Sequence, residues 1–250
     1  VAAAAGAKVV KHGNRAASSA CGTADVLEAL GLVLDLPPDR QGAVFESAGI
    51  VFLFASYYHP SLRHAAVPRR ELGISTTFNF LGPLANPARP RAQAVGVADA
   101  RMAALMAGVL ADRGNRGLVF HGDDGLDELT TTTSSDVWVI DAGRVQATRF
   151  NPADLGIAPA DRTALVGGDP QHNAGVVRET FAGRLGPVRD IVTLNAGAAL
   201  LAFDGPDLDR PITDQLDAAV GRAAAAIDSG AASETLDRWV EATRNAAARA

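Results

Sequence analysis

The run IVFLFA at Ile50–Ala55 is apolar at every position, opened by Gly49 and closed by Ser56. An amphipathic helix needs about 10–12 residues and a polar face, so a run this short and uniform reads as a strand buried on both sides. A strand of that kind sits inside a parallel sheet with helices on each face, and the rest of the chain supplies the matching parts. KVV, RAQAVGV and RGLVFHG are further short strands. TADVLEAL reads as a helix with Thr23 as N-cap and Gly31 as its stop. PPDRQGAVFESAG carries Pro38 at a helix start and Gly49 at its end, and DARMAALMAGVLADRG is a third helix. HPSLRHAA begins another, with His59 as a candidate N-cap and Pro68 as an interruption. DVWVID and RVQATRF flank Ala142-Gly143, which reads as a hairpin. The last eighty or so residues are helical, beginning at Asp169 as cap and Pro170 in the first turn. They run through DIVTLNAGAALLAF, a buried helix or strand–helix pair, to two alanine-rich helices. The expected fold is α/β: a mostly parallel central sheet flanked by helices, in one domain over residues 1–250.

A chain of 250 residues with 48% hydrophobic content can bury a sizeable core. Its net charge of −5 argues against a general nucleic-acid binder, which needs a basic stripe. Cys21 is the single cysteine, so no internal disulfide can form and a reducing cytoplasm is the expected compartment. No apolar run approaches the roughly 18 residues of a membrane span. The opening VAAAAGAKVV has no basic leader and reads as the last turn of a helix, a glycine stop and a strand. The expectation is a chain that begins in mid-element, with an N-terminal part missing.

Three stretches are more polar than connections between buried elements need to be, and they fall after strands, where open α/β sheets bind their ligands. Lys11 to Asp25 offers cations (Lys11, Arg15), hydroxyls (Ser18, Ser19, Thr23), small residues and then a helix start. That set suits a phosphate group; the alternative is a polar loop that caps the next helix. In HGDDGLDEL, four carboxylates fall within six residues after the strand GLVF. Crowded hard oxygens suit Mg²⁺, which takes one or two carboxylates plus substrate oxygens and water; the alternative is an exposed Asp-Gly turn with solvated acids. No ligand spacing supports a zinc site from His59, His64 and His121. The third stretch, YYHPSLRHAAVPRRELG followed by NFLGPLANP, places Arg69 and Arg70 near prolines and tyrosines, where a flat carboxylate could be held.

Taken together, KHGNR, GTADVLEALG, HPSLRHAAVPRRELG, FNFLGPLANP, HGDDGLDEL and LNAGAAL, in this order along the chain, resemble the anthranilate phosphoribosyltransferases of the nucleoside-phosphorylase-like phosphoribosyltransferase family. The resemblance implies a reaction in which the amine of anthranilate displaces pyrophosphate from C1 of 5-phosphoribosyl diphosphate (PRPP). It implies PRPP contacts from Lys11, His12, Gly13, Asn14, Arg15, Ala16, Ala17, Ser18, Ser19 and Thr23. Asn14, Arg69, His12 and His59 would meet anthranilate, with Arg69 on its carboxylate. Asp127 and Glu128 would hold magnesium, two ions in the intact enzyme with Glu128 shared between them. No acid or base residue is assigned. A cytoplasmic homodimer is implied when the protein is full length, with no nucleic-acid or membrane partner. Residues 59–87 would form a hinge against a helical N-terminal domain.

The family's glycine-rich pyrophosphate loop and its Asn-x-Ser-Thr segment have no counterpart in these 250 residues, and neither has the helical domain. The isolated piece is therefore expected to be impaired in activity. Thr23 stands where the family has serine, which keeps the hydroxyl, and Val67-Pro68 reverses the usual proline–valine order ahead of Arg69. Two other functions compete: a pyrimidine nucleoside phosphorylase, disfavoured by the acidic loop, and a non-catalytic nucleic-acid-binding paralogue, disfavoured by the negative charge.

Overall fold

The computed structural model describes residues 1–15, 21–62, 64, 68, 71–72 and 78–248. The expected sites Ala16, Ala17, Ser18, Ser19 and Arg69, and the Val67 of the reversed pair, lie outside the described residues. The chain divides into two compact units: Val1–Ala7, Pro90–Val166 and Glu179–Ala232 form one, and Lys8–Arg89, Gly167–Arg178 and Ser233–Ala250 the other.

In the second unit, β1 (Val9–Gly13) pairs in parallel with β2 (Ile50–Phe54), placing Lys11 beside Phe52 and His12 beside Leu53. β2 lies within the uniformly apolar run IVFLFA, and Val51, Phe52 and Leu53 are all buried. The strand reading of KVV was too short, because Lys11, His12 and Gly13 continue the ladder. Between the strands lie α1 (Thr23–Ala29) and α2 (Pro38–Ala48), and α2 packs on β2. Gly49 ends α2 in the left-handed conformation at φ 72°, the geometry in which glycine carries no Cβ penalty. Thr23 is not the N-cap. Gly22 occupies that position, its N–H bonded to Asp25 Oδ2 at 2.8 Å, and Thr23 is the first helical residue.

From Leu30 to Leu36 the chain is irregular, yet Leu30, Leu32, Leu34 and Leu36 are all buried. Its backbone is held from the C-terminal helix α9 (Ala231–Ala248), where Thr243 Oγ1 accepts the Val33 N–H at 3.1 Å and Arg244 Nε donates to Gly31 O at 3.2 Å. After β2 come α3 (Ala55–Tyr58), a single 3₁₀ turn at Pro60–Leu62, and α4 (Phe78–Leu84). His59 closes α3, its N–H bonded to Ala55 O, and the helix expected to begin after it lies partly outside the described residues.

The first unit holds a four-stranded sheet in the order β3 (Ala92–Gly96), β4 (Arg116–Gly122), β5 (Ser135–Asp141), β6 (Arg144–Phe150). The α/β class stands, with a mixed sheet: β3 and β4 are parallel, whereas β4–β5 and β5–β6 are antiparallel. The hairpin expected at Ala142-Gly143 joins β5 and β6, with φ 48° and 75° at those two residues, as a two-residue hairpin turn requires. The parallel pair is joined by α5 (Ala100–Asp112), which packs on β4 and β5 and is capped by Asp99 accepting the Arg101 N–H. Leu118, Val119 and Phe120 of β4 are all buried, as in a strand covered on both faces.

α7 (Pro187–Asp204) lies along β3 and β4 and packs on α8 (Ile212–Asp228). α7 is one continuous helix, which decides between the two readings of its sequence. α6 (Pro170–Phe181) starts where Asp169 Oδ1 accepts the His172 N–H, the cap the sequence indicated. Among the described residues, no helix is long and apolar enough to cross a membrane.

Candidate functional site

The acidic stretch connects β4 to β5 at the carboxyl end of β4, and bonds tie Asp124 and Asp123 into the fold. Asp124 binds the loop to itself: its Oδ1 accepts the Leu126 N–H at 3.1 Å, and its Oδ2 accepts from the hydroxyls of Thr130 at 2.9 Å and Thr132 at 2.6 Å. Burial alone would raise the Asp124 pKa, but these bonds outweigh it and hold the carboxyl below its ordinary value. Asp123 pairs with Arg149 of β6 at 2.5 Å, and the same guanidinium reaches Asp136 of β5 at 2.8 Å. Asp127 and Glu128 are exposed at the surface.

Their backbone is nonetheless fixed. Leu129, the next residue, is fully buried, an anchor of about 1.5–3 kcal/mol for a side chain of its size. Asn195 of α7 clamps the same residue, its Oδ1 accepting the Leu129 N–H at 2.9 Å and its Nδ2 donating to Leu129 O at 2.8 Å. On the other side, the carbonyl of Asp127 lies directly against Gly96 at the end of β3; a Cβ at Gly96 would meet that oxygen at 1.5 Å. His121, the last side chain before the loop, bonds through Nδ1 to Val97 O at 2.7 Å.

Among the described residues, no group of three or more His, Cys, Asp or Glu could hold a metal ion. Asp127 and Glu128 are two neighbouring hard-oxygen donors at the surface. Such a donor set fits Mg²⁺, which keeps several waters and completes its octahedron with substrate phosphates, better than it fits a metal that wants a full protein cage.

In the second unit, the end of β1 carries the other expected residues. Lys11 is exposed, and His12, its neighbour on the opposite face of the strand, is half-buried against His59, with ring centroids 5.0 Å apart in an edge-to-face arrangement. His59 Nε2 lies 2.9 Å from the carbonyl of Ala85, so that nitrogen carries the proton. Burial first, then His59, depress the His12 pKa, against a hydrogen bond to the Gly82 backbone. The Nε2 of His12 is buried and has no hydrogen-bond partner among the described residues.

GPLANP is what surrounds this pair. Gly82 meets His12, Ala85 meets His59, and Asn86 Nδ2 donates to Val10 O in β1 at 3.1 Å. The sequence reading missed Asn86 and Asn195. The available signal was an amide side chain placed among apolar or small residues, where it needs a partner from elsewhere in the fold.

Asn14 and Arg15 are exposed beyond the strand. Arg15 makes a two-pronged pair with Glu28 of α1, Nη2 to Oε1 at 2.7 Å, and stacks 5.5 Å over the Phe54 ring. Thr23 is exposed at the first turn of α1. Thus Lys11, His12, Gly13, Asn14, Arg15 and His59 gather at one end of the two-stranded sheet, and Asp127 and Glu128 stand on the loop after β4.

Cationic, amide and carboxylate side chains beyond strand ends suit a transferase that handles sugar phosphates. The family profile described as "Glycosyl transferase family, a/b domain" matches residues 1–233. A curated relative from Acidothermus cellulolyticus, named anthranilate phosphoribosyltransferase, is 61% identical over 246 residues, covering 98% of this chain and 69% of its own length. The crystal structure of anthranilate phosphoribosyltransferase from Thermus thermophilus superposes with a TM-score of 0.87 at 42% identity, covering 97% of this chain and 70% of that one. The Saccharomyces cerevisiae enzyme in complex with PRPP and Mg shares the fold, with a TM-score of 0.85 at 23% identity over 98% of this chain and 68% of that one. The chain belongs to the anthranilate phosphoribosyltransferases.

Proposed function

We propose that this chain carries the residues that transfer the 5-phosphoribosyl group from PRPP to the amine of anthranilate, releasing pyrophosphate and giving N-(5-phosphoribosyl)anthranilate for tryptophan biosynthesis. The C1–O bond to the diphosphate breaks and a C1–N bond forms, through a sugar carbon that resembles a cation. The chain's tasks are to hold the diphosphate, align the amine and keep both in place while charge moves.

Lys11, Asn14 and Arg15, with Gly13 and Thr23, bind PRPP oxygens; Ala16, Ala17, Ser18 and Ser19 continue that contact. Arg15 exchanges part of its pairing with Glu28 for phosphate, and the stack on Phe54 keeps its guanidinium in reach. His12 and His59 line the path of the aromatic acceptor, with His12 neutral, and Asn14 and Arg69 meet anthranilate itself. Asp127 and Glu128 hold Mg²⁺, two ions with Glu128 shared. When bound, Mg²⁺ neutralises the charge that develops on the leaving diphosphate. The setting is a cytoplasmic homodimer with no nucleic-acid or membrane partner, and residues 59–87 act as a hinge.

The observation that carries this reading is that Asp127 and Glu128 stand exposed, side by side, on a backbone clamped by Asn195 at the carboxyl end of β4. The test is the loss of anthranilate fluorescence when the protein carrying this sequence is given PRPP, anthranilate and Mg²⁺. Magnesium-dependent formation of the phosphoribosyl product supports the assignment. Product formation that is indifferent to Mg²⁺ refutes the metal role.

A further inference from the structure

The amide of Asn195 is the only polar side chain of α7 between Thr193 and Asp204. Asparagine is a poor helix former because its amide competes with the backbone, so it needs a use here. Its geometry supplies one. Oδ1 accepts the Leu129 N–H at 2.9 Å, and Nδ2 donates both to Leu129 O at 2.8 Å and to Ile191 O, one turn back on its own helix, at 3.0 Å. The bond to Ile191 fixes the amide plane, and the two bonds to Leu129 copy the pairing of a neighbouring strand onto a single residue. Leu129 directly follows Glu128.

We infer that Asn195 is a positioning residue for the Asp127–Glu128 pair. It sets the carboxylates before any metal arrives, and it does so from the rigid helix that packs on β3 and β4. This rests on the reading of Asp127 and Glu128 as magnesium ligands. Groups that orient a ligand's backbone or side chain commonly matter to metal affinity by about 10-fold or more when removed. A purely structural anchor would behave differently, because its loss would lower stability without moving metal dependence. Leu129 already has a fully buried side chain as an anchor, so the amide clamp adds direction to the peptide that follows Glu128.

Three substitutions separate these roles. Asn195→Ala removes the clamp. Asn195→Asp keeps an acceptor for the Leu129 N–H but sets a carboxylate oxygen against Leu129 O, and serves if the alanine variant does not fold. Thr193→Val is the control: Thr193 is buried on the same helix, and its Oγ1 donates to the Arg189 and Asp190 carbonyls of that helix. Two readouts are taken, amide hydrogen exchange across residues 123–131 in metal-free protein and the Mg²⁺ concentration for half-maximal PRPP binding by calorimetry.

Asn195→Ala is expected to lose exchange protection at Leu129, and either Asn195 variant to need about 10-fold more Mg²⁺, whereas Thr193→Val lowers the melting temperature and leaves both readouts at wild-type values. Unchanged magnesium dependence in a folded Asn195 variant overturns the inference even if its loop exchanges faster. Wild-type PRPP binding that ignores Mg²⁺ overturns the metal reading itself, and the inference with it.

Discussion

The carbonyl oxygen of Asp127 rests against the Cα of Gly96, at a distance that leaves no room for a side chain: an added Cβ would meet it at 1.5 Å. The end of β3 and the acidic loop are thereby fitted to each other through backbone alone, and the carboxylates of Asp127 and Glu128 inherit their position from that contact.

Gly96→Ala should therefore push the loop away from β3. An overpacked site of this kind costs about 1–3 kcal/mol, and because the clashing atom is backbone, a rotamer change cannot relieve it. The expected outcome is a lowered urea midpoint together with a higher Mg²⁺ requirement. Wild-type values for both would mean that the loop is not held where Gly96 requires.

Asp124→Asn tests the internal tie of the same loop. The change removes the charge that accepts from Thr130, Thr132 and the Leu126 N–H. Hydrogen bonds to charged groups contribute about 1.5–3 kcal/mol each at most, so chemical denaturation should show a loss within that range. Asp124 is depressed below its ordinary value of 3.8. Its contribution is complete above that pH and is lost as pH falls through the folded value, so the variant should have a shallower acid limb below about pH 4. Parallel acid limbs for variant and wild type would contradict the account.

His12 gives a prediction at milder pH. Its pKa is held below the ordinary 6.5, chiefly by burial and then by His59, so the folded chain favours the neutral ring and the unfolded chain takes up the extra proton. The stability this group contributes is whole above 6.5 and declines as pH falls through the lower folded value. Urea midpoints at about pH 7.5 and about pH 5.5 should differ less in His12→Gln than in wild type. An equal difference would place the titration elsewhere.

Arg69→Ala should raise the KM for anthranilate several-fold and leave the KM for PRPP nearly unchanged. Its guanidinium is assigned to the acceptor's carboxylate, a planar two-point pairing. Steady-state kinetics with each substrate varied in turn decides the matter, and equal losses for both substrates would remove Arg69 from the acceptor site.

Much of the fold was legible in the sequence, and for identifiable reasons. Ile50–Phe54 and Arg116–Gly122 announced themselves as short apolar runs, the Ala142-Gly143 turn as the centre of two alternating strands, and Asp169 as a cap before Pro170. Local signals failed where the partner came from a distance. The capping reading chose Thr23 by residue type, but Asp25 reaches back to Gly22 and moves the cap by one position. The buried leucines of Leu30–Leu36 alternate like a strand, yet Thr243 and Arg244 hold that backbone, so no ladder forms. At the site, four clustered acids looked alike. Arg149, which lies 26 residues beyond Asp123, and the hydroxyls of Thr130 and Thr132 tie Asp123 and Asp124 into the fold, and no signal inside the acidic stretch announces those partners.

The most direct test of the central claim is a Mg²⁺ titration of PRPP binding, by calorimetry, for the wild-type protein and for Glu128→Gln. The substitution keeps shape and hydrogen-bonding length while removing the charge a hard cation needs. The account predicts that wild-type binding rises steeply with Mg²⁺ and that Glu128→Gln requires about 10-fold more of it or more. Superimposable titration curves for the two proteins would contradict it.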